Sequence, residues 1–113
     1  NELKMKIEKK DNYTIIQVTE TSFEEFLSAF EVDDFSKENL FLNFIDAFEI
    51  TTTQIDSFSE IAMDKKENGT SFIIIAPGIE IDDLEDETLS VVPTLREAED
   101  TLEMDAIERD LGL

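Results

Sequence analysis

The chain has 113 residues with no Cys, His or Trp, and its 29 Asp and Glu against 9 Lys and Arg give a formal net charge of −20. These absences exclude disulfides, thiol nucleophiles, zinc ribbons and Ser-His-Asp triads. Because a surface this acidic repels phosphate backbones and anionic membranes, we expect neither nucleic acid nor membrane as a partner.

The length and the 41% hydrophobic content predict a single domain with a packed core over residues 1–113. We expect Met5 to be the natural first residue and residues 1–4 to be foreign to the domain. No apolar run approaches the ~20 residues of a membrane span, and the amino terminus has no hydrophobic signal region, so we expect a cytoplasmic location.

Two strands open the chain. Residues Leu3–Glu8 alternate apolar and polar, which is typical of a half-buried strand. Residues Tyr13–Val18 are aromatic and β-branched, which predicts a second strand. Asp11 and Asn12 supply turn residues between them, so we expect an antiparallel hairpin.

A first helix begins at Ser22, where Ser22 and Glu25 fit a capping box. Its apolar stripe has helical spacing and consists of Phe23, Phe26, Leu27 and Phe30. The nearly continuous apolar run Leu40–Ile45 then predicts a strand buried on both faces.

A second helix is predicted from Thr51, Thr52 and Thr53, all suitable N-cap residues, to Asn68–Gly69. Its apolar stripe consists of Ile55, Phe58, Ile61 and Ala62. The run Ser71–Ala76 predicts a further buried strand, which ends at a Pro-Gly pair.

Residues 80–88 are acidic and predict a loop, and Leu89–Val92 predicts a last short strand. Thr94 and Glu97 fit a second capping box, which begins the final helix. The apolar residues assigned to one side of that helix are Leu95, Ala98, Leu102, Ile107 and Leu111. The order β-β-α-β-α-β-β-α predicts an α/β fold, a mixed sheet with parallel helix-linked strands and with helices mainly on one face.

The stretch from Leu40 to Ala76 resembles the core of a STAS domain, the fold of bacterial anti-sigma-factor antagonists and of sulfate-transporter tails. The family signature Ile-Asp-Ser-Ser-Gly-Leu, at a helix N-terminus, falls on Ile50–Ile55. Asn68–Ile73 resembles the turn into the next strand, and Val91–Ala98 resembles the last strand and the start of the terminal helix. Thr51 replaces the signature Asp and Gln54 replaces the Gly. The helix that the family has after the fourth strand is shortened here.

The resemblance implies a non-enzymatic protein–protein interaction domain that binds an anti-sigma-like kinase or another regulator, with no cofactor. Thr53 falls on the phosphorylatable Ser of the regulated members, so Thr53 and its neighbour Thr52 are candidate phosphoacceptors. The expected docking residues are Thr51, Thr52, Thr53 and Gln54. The alternative interpretation is that Thr51 and Gln54 only cap the helix.

Other acidic residues have two interpretations each. The loop Asp82–Glu87 is either a solvated surface loop or a set of oxygen ligands for a hard cation. Asp46 and Glu49 follow a buried strand, where paired carboxylates could act as acid and base, but no other residues indicate a substrate pocket. We therefore predict no catalytic residue and no metal site.

Two Phe residues, Phe35 and Phe48, lie outside the stripes and either pack under loops or serve as docking anchors. The final helix carries many acids, of which Glu108 and Asp110 oppose the helix dipole. These acids are either a solvated face or a docking face for a basic protein. The alternative function is therefore an acidic accessory protein that binds a basic, RNA-processing enzyme, and the oligomeric state stays open.

Overall fold

A computed structural model describes residues 5–30, 35 and 37–112. These residues form an α/β fold with one mixed five-stranded sheet packed against helices. The strands are β1 (Lys6–Lys9), β2 (Thr14–Gln17), β3 (Leu40–Asn43), β4 (Phe72–Ile75) and β5 (Ser90–Val92). The helices are α1 (Phe23–Ala29), α2 (Thr52–Asp56), α3 (Ser59–Glu67) and α4 (Leu95–Asp110), and a 3-10 turn covers Ile81–Asp83.

The strand order in the sheet follows the order in the chain, β1-β2-β3-β4-β5. Strand β1 is antiparallel to β2, and every other neighbouring pair is parallel. One row of paired residues crosses the four parallel strands from Ile16 through Leu42 and Ile74 to Val91. The predicted hairpin and the predicted parallel pairing are both confirmed.

Each face of the sheet has its own hydrophobic cluster. Three helices, α1, α2 and α3, cover one face, and α4 covers the other. The first cluster includes Ile16, Leu42, Ile74 and Val91 with Phe26, Ile55 and Phe58. The second includes Ile15, Phe41, Ile73 and Ile75 with Ala98 and Leu102 of α4. Because right-handed crossovers between sequential parallel strands lie on one face, only a helix after the last strand is free to cover the other.

The second predicted helix is wrong as one continuous element, because it is interrupted at Ser57–Phe58. The Ser57 hydroxyl donates to the Gln54 carbonyl at 2.5 Å, and the Phe58 amide bonds to Ile55 three residues back. A hydroxyl that bonds to the local backbone competes with the helical pattern. The turn moves Phe58 into the core, where it is 1% exposed, and Gly69 ends α3 with a φ of +77°.

Three predicted burial patterns are also wrong. Strand β1 is exposed along its whole length, rather than half-buried, because it is the edge strand and no helix covers it. The α1 residue Leu27 is 45% exposed. On α4, Ile107 and Leu111 are 54% and 68% exposed, since at about 100° per residue they lie opposite Ala98 and not beside it. The predicted residues Leu3 and Lys4 of the first strand lie outside the described residues.

No helix in the described part of the chain has the length and apolar character that a membrane crossing requires.

Candidate functional site

The predicted docking residues lie at the N-terminus of α2, after the carboxyl end of the buried strand β3. Thr51 is the N-cap, and its side-chain oxygen accepts a hydrogen bond from the Gln54 amide at 3.2 Å. The Gln54 side chain in turn accepts from the Thr51 amide at 3.0 Å. This reciprocal pair is the capping box that the sequence offered as the alternative interpretation, and it fixes the conformation of this turn.

The same residues are accessible from solvent. Thr51 and Thr53 are exposed, and Thr52 and Gln54 are half-buried. Ile50 and Ile55, on either side of this turn, are both buried in the hydrophobic core. The tip of α2 therefore presents exposed hydroxyl groups next to two residues that are anchored in the core.

Apolar surface lies at the same edge of the sheet. Ile45, two residues beyond β3, is 45% exposed, and Pro77, two residues beyond β4, is also exposed. Since Asn43 pairs with Ile75 and the Phe44 amide bonds to the Ile75 carbonyl, Ile45 and Pro77 follow the carboxyl ends of two adjacent strands. The carboxyl edge thus combines exposed apolar side chains with the threonine hydroxyls of α2.

The acidic loop after β4 is hydrogen-bonded to Asp56, the last residue of α2. Both carboxylate oxygens of Asp56 accept from the Glu85 amide, at 3.1 and 3.0 Å, and one also accepts from the Asp86 amide at 3.2 Å. The Thr88 hydroxyl and amide donate to Asp86, and the hydroxyl is the largest cause that lowers the pKa of Asp86. Hydrogen bonds inside the chain therefore order this loop.

The structure also bears on the alternative roles considered for the acidic loop, for the acids after β3 and for two Phe residues. In residues 5–30, 35 and 37–112 no three carboxylates are grouped as metal ligands would be, so the cation hypothesis for the acidic loop gains no support. Asp46 and Glu49 are both exposed. Phe35 is buried, and the half-buried Phe48 packs edge-on against Phe44, so both pack under loops.

A second feature, which sequence reasoning missed, is a cleft of about 490 Å³ lined by residues of α3 and α4 at the other end of the sheet. The buried Ser71 hydroxyl donates to Asp105 and accepts from Arg109, each at 2.7 Å. The exposed Lys66 also lines this cleft. The four-residue spacing of Asp105 and Arg109 was the available signal, because such pairs share one helix face.

A buried lysine next to that cleft was also missed. Lys65 is 2% exposed, and its ammonium donates to the carbonyls of Phe35 and Glu38. Burial lowers the pKa of Lys65, and the nearby Glu38 carboxylate partly opposes this effect. The lysine ties the segment before β3 to α3, which is a structural role.

No protein-family model matches this sequence, and no curated protein is significantly similar to it.

Proposed function

We propose that the chain is a non-enzymatic, STAS-like docking domain that binds a regulatory protein through the tip of α2. The observation that carries this proposal is the exposure of Thr51 and Thr53 at the start of α2, in the segment after β3 where the Ile45 side chain is also exposed. Apolar contact area ringed by hydrogen-bonding groups is the usual composition of a protein interface.

The element order supports the STAS-like interpretation. An antiparallel edge strand precedes four parallel strands, and the tip of α2 follows the buried strand β3 where the signature of the family is expected. Thr51 fills the place of the signature Asp and still caps the helix through its hydroxyl oxygen. Gln54 fills the place of the Gly and completes the capping box with its side chain. Both departures therefore keep the turn ordered.

We propose Thr53 as the phosphoacceptor of a regulatory switch. Thr52 is half-buried, and the Thr51 oxygen already accepts the Gln54 amide, whereas Thr53 is exposed and its hydroxyl has no hydrogen bond to another described residue. A phosphate would add about −1.5 to −2 charges to the docking surface. That charge and bulk would weaken the binding of a partner that fits the unmodified tip.

A photo-crosslinking amino acid at Thr53 tests the docking proposal in the cell from which the sequence comes. We expect it to capture a specific protein, an anti-sigma-like kinase or another regulator. The same amino acid at Asn68, exposed at the opposite end of the sheet, is the control. Capture that is equal at both positions, or absent at Thr53, would contradict docking at this tip.

Two substitutions then test the switch with the captured protein. Thr53→Glu places a negative charge at the tip and should weaken binding about tenfold or more, while Thr53→Ala should bind within about twofold of the wild type. Equal binding of all three proteins would overturn the switch. Because Thr53→Ala keeps the capping box, its binding separates loss of the hydroxyl from loss of the fold.

A further inference from the structure

The face of α4 that points away from the sheet carries an apolar stripe. Met104, Ile107 and Leu111 are 58%, 54% and 68% exposed. Their spacing of three and four residues places them on one side of the helix, over a length of about 10 Å. Three large apolar side chains in a row are unusual in a helix whose opposite face, with Ala98 and Leu102, is the one packed on the sheet.

Carboxylates border this stripe. Asp100, Glu103, Glu108 and Asp110 are all exposed, and none of them forms an ion pair with another described residue. Glu108 and Asp110 lie in the last turn, where a negative charge opposes the helix dipole. Arg109 is the basic residue of this turn, and its side chain is bonded to Ser71, so a cation from outside would still meet the carboxylates of Glu108 and Asp110.

From these observations we propose that α4 is a second docking surface, distinct from the tip of α2, and that its occupant is a cationic amphipathic helix of another protein. The apolar side of such a helix would cover the α4 stripe, which is defined as Met104, Ile107 and Leu111. Its Lys and Arg residues would contact the bordering carboxylates. Two helix faces pack at about 8–10 Å between axes, which allows both contacts together.

A second copy of this chain fits the surface poorly. Two α4 faces in contact would bring like carboxylates together, and each copy carries a formal net charge of −20. The stripe is also smaller than the ~800 Å² per partner of a stable interface, so we expect weak and reversible binding. A flexible Met in the stripe suits a surface that accepts different apolar partners.

The probe for the test is a synthetic peptide of Leu and Lys with Leu at helical i, i+3, i+4 and i+7 positions. A scrambled peptide of the same composition is its control. We expect the amphipathic peptide to bind the full chain, with amide chemical-shift changes concentrated on α4. Binding should weaken as salt is raised, because the bordering carboxylates are exposed. Shift changes elsewhere, with none on α4, would overturn the proposal.

The apolar contribution is tested by Met104→Gln, Ile107→Gln and Leu111→Gln together, since these exposed positions tolerate a good helix former. We expect binding of the peptide to weaken about tenfold. The control is Leu27→Gln with Ile81→Gln, two exposed apolar residues in α1 and in the 3-10 turn, and it should bind within about twofold of the wild type. Equal weakening in both variants would overturn the role of the stripe.

The charge contribution is tested by Glu103→Gln, Glu108→Gln and Asp110→Asn together. The control, Glu80→Gln, Asp82→Asn and Glu87→Gln, removes the same three charges from the acidic loop. We expect only the first variant to lower the affinity and flatten its salt dependence. Equal effects of the two variants would show attraction to the net charge alone and contradict the proposal. A dimer of the free chain that the stripe variant dissociates would assign the surface to a second copy instead.

Discussion

The Tyr13 hydroxyl donates a hydrogen bond of 2.8 Å to the Glu99 carboxylate and so joins the start of β2 to α4. The Tyr13 ring also stacks on Phe41, with ring centroids 4.1 Å apart and planes at 16°. Among the described helices, α4 is the one that covers this face of the sheet, so this contact helps to fix how α4 lies across it. The position of α4 in turn determines which of its side chains remain exposed to a partner.

We predict that Tyr13 titrates with a pKa of about 12 in the native protein, raised from 10.0 mainly by burial and then by Glu99. The folded state thus holds the phenol proton after the unfolded state has lost it. The stabilisation is complete below pH 10 and is lost as the pH rises toward 12. Tyrosinate absorbance measures this directly, because the chain has one Tyr and no Trp.

Two variants control the Tyr13 titration. Glu99→Gln removes the charged acceptor and should lower the pKa of Tyr13, whereas Glu97→Gln, at an exposed acid two residues before Glu99, should leave it unchanged. A native titration at 10.0 would mean that the contact between Tyr13 and Glu99 does not persist in solution.

Ser71→Ala should destabilise the protein by about 1–3 kcal/mol, because the buried hydroxyl is bonded to both Asp105 and Arg109. Ser90 lines the same cleft, its hydroxyl has no hydrogen bond to another described residue, and it is the matched control as Ser90→Ala. Urea denaturation of both variants gives the free energies of unfolding. Equal free energies for the two variants would contradict the proposed bridging by Ser71.

The cap of α2 is tested by Thr51→Ala, which removes the oxygen that accepts the Gln54 amide. We expect a loss of about 1 kcal/mol in the free energy of unfolding, and a much smaller loss for Thr51→Ser, which keeps the oxygen. Thr53→Ala should change the free energy by less than about 0.5 kcal/mol, since its side chain is exposed. A large loss for Thr53→Ala would give that side chain a structural role instead.

Lys65 and its neighbour Lys66 provide a matched pair for the buried charge. Lys65→Met removes the side-chain donor to the Glu38 carbonyl and leaves the Phe35 carbonyl with the Glu38 amide alone, which should cost about 1–3 kcal/mol, partly offset by relief of the buried charge. Lys66→Met, at an exposed position, should change the free energy of unfolding by less than about 0.5 kcal/mol. Thermal melts of both variants and of the wild type measure the two effects. Equal melting temperatures for Lys65→Met and Lys66→Met would contradict the structural role of Lys65.

Local sequence patterns predicted the elements of the sheet well. Strands β3 and β4 are buried on both faces, although Ile45 at the end of the predicted run is exposed, and the N-caps at Ser22, Thr51 and Thr94 each accept the predicted amide. These features depend on residues close in the chain. Whether Leu27 and Ile107 are buried depends instead on whether another helix or strand packs over them. A local sequence pattern contains no information about such packing.

The candidate sites show the same difference between features set by nearby residues and features set by tertiary packing. The capping box at Thr51 and Gln54 is local and was foreseen as an alternative. The contacts of Ser71 with Asp105 and Arg109, and those of Lys65 with Phe35 and Glu38, join residues about 30 or more positions apart. Such contacts follow from tertiary packing, so a single sequence without relatives gave no reason to select these residues.

Amide chemical-shift mapping of the chain with the protein captured at Thr53 tests the central claim most directly. We predict the largest changes at Ile45 and at residues 51–54, and their loss when Thr53 is replaced by Glu. Tight binding that leaves the amides of residues 44–54 unchanged would contradict docking through the tip of α2.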